Sequence, residues 1–240
     1  MFSSVFLCLC ASVVNNLFHL FMNTFSRIFI LFFAALILFI ILWKWLDLGL
    51  GMGTVPHKCM LVATSQTFTC SIGKNGIRAD KKEGDGATPA GDFPIREILY
   101  RADRMDAQET KLLKALAQEG FKVQALTPND GWVDDVNSDY YNQFVKISAF
   151  KRQVPRHERL WREDHLYDII VVLGYNDDPI MKGKGSAIFM HLARQNIFKK
   201  YGQTDGCIGL NKTDLLKVLN ALTPTTTIEV PENAGPILIK

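Results

Sequence analysis

Residues 185–210 read GSAIFMHLARQNIFKKYGQTDGCIGL. An apolar, strand-like run ends in His191, a polar and basic excursion follows, and a turn carries Cys207 between Gly206 and Ile208. His191 and Cys207 are 16 residues apart, a gap that a strand–loop–strand excursion can close in space. A nucleophilic sulfur needs a nearby base or cation that favours its thiolate. Gly206 lets the backbone approach a substrate carbonyl, with consecutive amides aimed at a developing oxyanion. The opposing interpretation is that a lone cysteine near one histidine is a small buried core residue. The pair alone leaves both open.

Outward from this stretch, short apolar and β-branched runs bounded by turn residues dominate: CMLVATS at 59–65, TFTCSI at 67–72, FVKISAF at 144–150, YDIIVVLGY at 167–175, TTIEV at 226–230 and PILI at 236–239. Gly and Pro clusters, notably GDGATPAGDFP at 84–94 and TPNDGW at 127–132, punctuate them. Two helices are expected. Asp106 to Glu119 opens on an Asp cap and puts Leu112, Leu113 and Leu116 on one face before Gly120; Thr213 to Leu222 offers Leu215, Leu216 and Leu219 and stops before Pro224. Strands outnumber helices without alternating with them, so residues 58–240 are expected to form an α+β, predominantly β domain.

The N-terminal part is different. No Asp, Glu, Lys or Arg precedes Arg27, and Ile28 to Trp43 is a 16-residue uncharged run, IFILFFAALILFIILW. Continued to Leu46 through Lys44 and Trp45, it gives about 28 Å of helix, against a hydrocarbon core of about 30 Å. Lys44 can snorkel, and Trp43 and Trp45 fall where aromatic belts form. Residues 27–46 are therefore expected to be a membrane helix or the core of a signal peptide, with 47–57 as linker. The sequence LDLGLGMGTVPHK that follows lacks a clear small-residue cleavage site, which favours a retained anchor. Residues 1–26 are an apolar leader: either a poor second span, burdened by Asn15, Asn16 and His19, or sequence upstream of a true start at Met22, which is preferred.

With 27 basic and 24 acidic residues the net charge is +3, too balanced for a protein that neutralises many phosphates, and no nucleic-acid partner is expected. Five cysteines exclude a complete disulfide framework. Cys59 and Cys70 lie in neighbouring expected strands and can pair, but two small buried apolar residues are the preferred interpretation. His157 and His165, with Asp164, lack fixed metal-ligand spacing; solvated or core-capping roles are favoured, and no metal site is assigned.

A strand-borne His, about sixteen residues, then Thr-x-Gly-Cys-Ile resembles the active-site signature of the L,D-transpeptidase (YkuD-like) catalytic domain. The likeness extends through SIGKNGIRADKKEGDGATPAGDFPI at 71–95, PNDGWVDD at 128–135, HERLWREDHLYDIIVVLGYNDDP at 157–179 and GKGSAIFMHLAR at 183–194, covering roughly residues 58 to 230. It implies a β-sandwich or barrel with one or two helices, in which Cys207 is the nucleophile and His191 the general base. Gly206, with the Cys207 amide, would form the oxyanion hole, supported by Thr204 and Asp205. Arg194, Asn176, Tyr175 and Trp132 would be substrate-side residues, although Asn176 and its neighbours equally suit a turn and Arg194 a surface ion pair. Where the family commonly has His before the Gly and Arg or Asn two after the Cys, this chain has Asp205 and Gly209, so the contacts of those side chains are not carried over.

The resemblance implies a cofactor-free peptidoglycan L,D-transpeptidase acting on stem peptides. The thiol would attack the third stem residue, release D-alanine, and pass the acyl group to a second stem, a lipoprotein lysine or water. The alternatives are an L,D-carboxypeptidase or amidase of the same fold, and a non-catalytic peptidoglycan-binding module. The expected place is a bacterial cell envelope, either anchored in the inner membrane through residues 28–46 and facing the periplasm, or secreted to the periplasm if the leader is removed.

Overall fold

The structure, a computed structural model, describes residue 29 and residues 31–40, 57–196, 200–233 and 235–240. The chain divides into two compact units, Met1–Gly51 and Met52–Lys240. In the first, α1 is described over residues 31–40, and Leu31, Phe32, Phe33, Leu36 and Ile37 on it are exposed. No helix among the described residues is long and apolar enough to cross a membrane. The remainder of the 28–46 run, the leader and the linker up to residue 56 lie outside the described residues, and so do Cys8 and Cys10.

The second unit runs β1 (His57–Leu61), β2 (Gln66–Ser71), β3 (Ile77–Arg78), β4 (Thr88–Pro89), β5 (Gly91–Tyr100), α2 (Ala107–Gln118), β6 (Val123–Ala125) and β7 (Asp130–Val133). It continues β8 (Phe144–Lys146), β9 (His157–Arg159), β10 (Ile169–Leu173), β11 (Phe189–Leu192), β12 (Ile208–Leu210), α3 (Lys212–Ala221), β13 (Thr227–Val230) and β14 (Ile237–Ile239). Nine strands form one sheet in the order β10-β11-β12-β2-β1-β14-β13-β5-β6, and β10 also pairs with β5, so eight of them close on themselves. Most ladders are antiparallel, but β11–β12, β1–β14 and β5–β6 are parallel. A small sheet, β8-β7-β9, and a parallel β3–β4 pair complete the unit. The α+β, mainly β expectation holds for this unit.

Strand β10 shows why the barrel needs cover on both faces. Its five residues IIVVL are all buried, and a strand sends alternate side chains to opposite sides. Ile169, Val171 and Leu173 join the core that includes Leu113 and Leu116 of α2 and Leu215, Val218 and Leu219 of α3. Ile170 and Val172 join a second core with Trp132, Tyr167, Phe189 and Cys207. The site therefore sits on the face covered by the small β7 sheet.

Local chemistry accounts for the helices. Asp106 accepts from the Glu109 amide while the Glu109 carboxylate accepts from the Asp106 amide, a capping box that fixes the start of α2. The cap of α3 is Asn211, which accepts from the Asp214 amide and starts the helix just before the expected Thr213.

Departures from the sequence pattern have physical causes. The 59–65 run ends as a strand at Leu61, because Val62–Thr64 is a 3-10 turn closed by Ser65 at φ 53. Strand β5, ten residues long, was hidden by its Gly-Asp-Phe-Pro start. Pro94 is tolerated because it faces Thr227 where β5 passes from β13 to its other neighbours, and its carbonyl still accepts from Gly174. The DGW of an apparent turn is part of β7, the centre of the small sheet.

The preferred interpretation of Cys59 and Cys70 as unlinked apolar residues is corrected. They form a disulfide across β1 and β2, with Cα atoms 5.9 Å apart, and both are fully buried. The register pairs Cys59 with Phe68 and His57 with Cys70, which leaves the two cysteines diagonal on one face. Opening this link, by reductant or by a Cys59→Ala/Cys70→Ala double substitution, is expected to lower stability by about 2–4 kcal/mol; urea unfolding with and without dithiothreitol measures it.

Candidate active site

His191 lies in β11 and Cys207 immediately precedes β12, and these two strands run parallel with Met190 opposite Ile208 and His191 opposite Gly209. Directly opposed residues share a face, and so do residues two apart on a strand. His191 and Cys207 thus project from the same face as diagonal neighbours, with Gly209 directly opposite His191. A side chain does not fit there: a Cβ on Gly209 would stand 2.2 Å from Ser71 Oγ and 3.2 Å from Ala193. The departure from the family pattern at this position is thereby explained.

Both residues line one cavity of about 590 Å³, together with Lys81, Glu158, Tyr167, Arg194 and the 203–206 turn. Cys207 is 9% exposed and His191 5% exposed. Cys207 is the free cysteine among the described residues; its Sγ lies 3.2 Å from the Ala187 carbonyl, to which the thiol donates. Ala187 adopts φ 53 just before β11, and its carbonyl faces the sulfur.

The imidazole is held by the Leu192 carbonyl and by Tyr167. Its Nδ1 is 2.9 Å from the Leu192 carbonyl; a carbonyl only accepts, so Nδ1 carries the proton and Nε2 keeps a lone pair. The ring meets Tyr167 edge-on at 5.0 Å. Tyr167 in turn donates its hydroxyl to Glu158 and lies under the Arg162 guanidinium at 5.0 Å. Arg162 is held between Asp164 at 2.5 Å and Glu158 at 3.9 Å.

Burial sets the charge state. Desolvation brings the His191 pKa down to about 4 and pushes the Cys207 thiol up to about 12, with the Glu158 carboxylate reinforcing the rise. Burial also raises the Glu158 carboxyl. Both shifts favour a neutral thiol beside a neutral imidazole, because a charge on either would be stranded in a poorly solvated pocket.

The turn before Cys207 is tightly built. Thr204 Oγ1 donates to the Cys207 carbonyl at 2.6 Å and accepts from the Gly206 amide at 3.2 Å. Gly206 has φ 144, and a Cβ there would stand 2.8 Å from the Ala87 carbonyl, so glycine is required. In this conformation the Gly206 amide serves Thr204. Asp205 points outward and pairs with Lys74 at 2.7 Å.

The remaining candidates separate. Arg194 stands at the cavity rim, more than half exposed, 3.8 Å from Asp164. Trp132, Tyr175 and Asn176 do not line the cavity. Trp132 is buried behind Phe189, edge-on at 5.0 Å, and donates to Asn142. Tyr175 packs on Phe93 and donates to the Lys184 carbonyl. Asn176, at φ 50, closes its own turn through Met181 and Gly185. His157 bonds the Pro155 carbonyl and His165 bonds Asp168. Lys81, Glu158 and Tyr167 are the site residues that the sequence did not single out. They lie within the quoted blocks, but nothing in their spacing announces a shared cavity.

Residues 60–230 match the family model of the L,D-transpeptidase (YkuD) catalytic domain. The chain belongs to that family, whose expected barrel-like, mostly β fold is the one observed. No curated protein and no solved structure matches the chain.

The depressed His191 pKa links stability to acidity. The unfolded chain takes up a proton near pH 6.5 that the folded state refuses until about pH 4. Stability contributed by the buried neutral ring is thus present above about pH 6.5 and is lost as pH falls toward 4. Urea unfolding between pH 7 and pH 4.5 is expected to show this loss in the wild type and a shallower one in His191→Gln.

Proposed function

We propose that this family member is a cysteine-dependent acyltransferase on peptidoglycan stem peptides, an L,D-transpeptidase with Cys207 as nucleophile and His191 as general base. The observation that carries it is the shared face and shared cavity of the two side chains, with Nε2 unprotonated. As a substrate carbonyl reaches the sulfur, His191 Nε2 takes the thiol proton while the S–C bond forms and the carbonyl π electrons move to oxygen. The Cys207 amide is the donor best placed to receive that oxyanion, and the Gly206 amide joins it if Thr204 releases it. Collapse of the tetrahedral species breaks the C–N bond, and the imidazolium returns its proton to the departing D-alanine amine. An acceptor amine, or water, repeats the sequence on the thioester with the proton transfers reversed.

A neutral resting pair suits this order of events. Proton transfer is concerted with attack, so an uncompensated thiolate is not exposed before substrate arrives. The cavity wall carries both signs of charge, with Arg156 paired to Asp134 and Arg194 near Asp164, and such paired arginines can be drawn onto the carboxylates of a stem peptide.

The proposed compartment is the periplasmic side of a bacterial envelope. The buried Cys59–Cys70 bond supports it, because such links persist in oxidising spaces. The exposed apolar side chains of α1 support attachment to a membrane through residues 28–46.

Incubation with defined tetrapeptide muropeptides, followed by mass spectrometry, is expected to show D-alanine release that Cys207→Ala abolishes and His191→Ala reduces by at least about a hundredfold. A carbapenem is expected to add its mass to the wild type but not to Cys207→Ala. Cross-linked dimers mark transpeptidation, and trimmed tripeptides alone mark the carboxypeptidase alternative. Full activity in Cys207→Ala would refute the assignment.

A further inference from the structure

Lys81 is an unusual residue to find inside this cavity. Its side chain is 3% exposed, although lysine is rarely buried without a reason. The aliphatic stem passes beneath Gly185, where a Cβ would stand 2.9 Å from Lys81 Cε, and the ammonium ends beside Gly206, 3.5 Å from where a Cβ on that residue would be. The two glycines thus make room for the stem and the head of one lysine. Lys81 lines the same cavity as Cys207.

Its charge is only partly answered. An ammonium has three N–H donors; one goes to Asp85 Oδ1 at 2.7 Å, and among the described residues no other acceptor engages the remaining two. Asp85 is itself shared: Oδ1 also accepts from the Ala87 amide and Oδ2 from the Lys82 amide. Those bonds, with Lys81, hold the carboxylate below its usual range against the cost of burial. The counter-charge is divided among three donors, and the ammonium itself lies beside Gly206, the residue before Cys207. Lys82 and Glu83, its sequence neighbours, have other tasks or directions; Glu83 accepts from Tyr141 and Ser186 on the cavity wall.

We propose that Lys81 is the charge-supplying residue of the acyl-transfer site, its ammonium stabilising the negative charge that develops on the Cys207 sulfur and then on the attacked carbonyl oxygen. The proposal rests on the assignment of Cys207 as nucleophile. Lys81 neither gives nor takes a proton: the thiol proton goes to His191, and the lysine remains an ammonium throughout. The other groups around the sulfur do not supply this. Glu158 and Asp205 are anionic and oppose the thiolate, Lys81 favours it, Tyr167 and His191 are neutral, and Arg162 is committed to Asp164 and Glu158. The Gly206 amide bonded to Thr204 adds to the need, since it leaves the developing oxyanion short of one backbone donor.

Cys207 is the reporter. Alkylation by iodoacetamide, followed by intact mass across pH 7–10, reads its thiolate fraction directly. Lys81→Met is expected to slow alkylation about tenfold at each pH, equivalent to about one unit in the thiol's pKa. Lys81→Arg is expected to stay within about threefold of wild type, and Asp85→Asn, which removes the counter-charge, to accelerate it. If Lys81→Met fails to fold because Asp85 is stranded, the Lys81→Met/Asp85→Asn double variant buries no lone charge and carries the same test. A folded variant lacking Lys81 with an unchanged alkylation profile overturns the proposal. Muropeptide turnover separates the two assignments: Lys81-dependent alkylation without D-alanine release in the wild type rejects the transpeptidase and keeps Lys81's role. D-alanine release that depends on Cys207 but is indifferent to Lys81 does the reverse.

Discussion

The chemistry of this domain depends on one parallel ladder, β11 against β12. Its register, His191 opposite Gly209, decides that the imidazole and the sulfur rise from the same face. A slip of one residue would send one of them to the opposite side of the sheet, into the helical core. The register is fixed from behind as well. β12 pairs with β2 through Gly209–Ser71 and Leu210–Cys70, and the serine hydroxyl fills the space that any larger residue at 209 would need. Glycine at that point satisfies the close approach of Ser71 and Ala193 from the strands on either side.

Burial then determines how the pair can work. A sulfur and an imidazole placed at the edge of an apolar core are both kept uncharged, so reactivity has to be created by the substrate's arrival rather than stored in a resting ion pair. Charged groups lie around them in layers. Glu158, Tyr167 and Arg162 form a connected set behind the imidazole, while Lys81 and Asp85 approach from the loop that precedes β4. The cavity combines apolar packing below with paired charges of both signs along its wall.

Much of this was legible in the residues. The apolar run of 167–175 announced a central strand, the Asp and Leu pattern of 106–119 announced a helix and its start, and the Thr-x-Gly-Cys-Ile turn with its upstream histidine pointed to the two side chains that share the cavity. Other features were hidden for definable reasons. β5 begins with residues that usually end strands, and it escapes that rule only because different partners flank its two halves. β7 carries Asp-Gly, a turn signal overridden by its central place between β8 and β9. The disulfide could not be deduced, because spacing in sequence does not report which strands become neighbours. Trp132, Tyr175 and Asn176 were placed at the substrate by association with their blocks, yet each is consumed by a partner within the fold. Lys81 is the opposite case: it sits in a charge-rich stretch that resembles a solvated loop, and only the closure of that loop over Gly185 and Gly206 draws it inside.

The three cysteines of the barrel are segregated by environment. Two are joined in a buried covalent bond. The third is kept protonated by its desolvated setting, and oxidants attack the anion far faster than the neutral thiol. The same surroundings that seal one pair are therefore slow to consume the other sulfur. A protein working outside the reducing cytosol can in this way retain a usable thiol without a dedicated reductant standing guard over it.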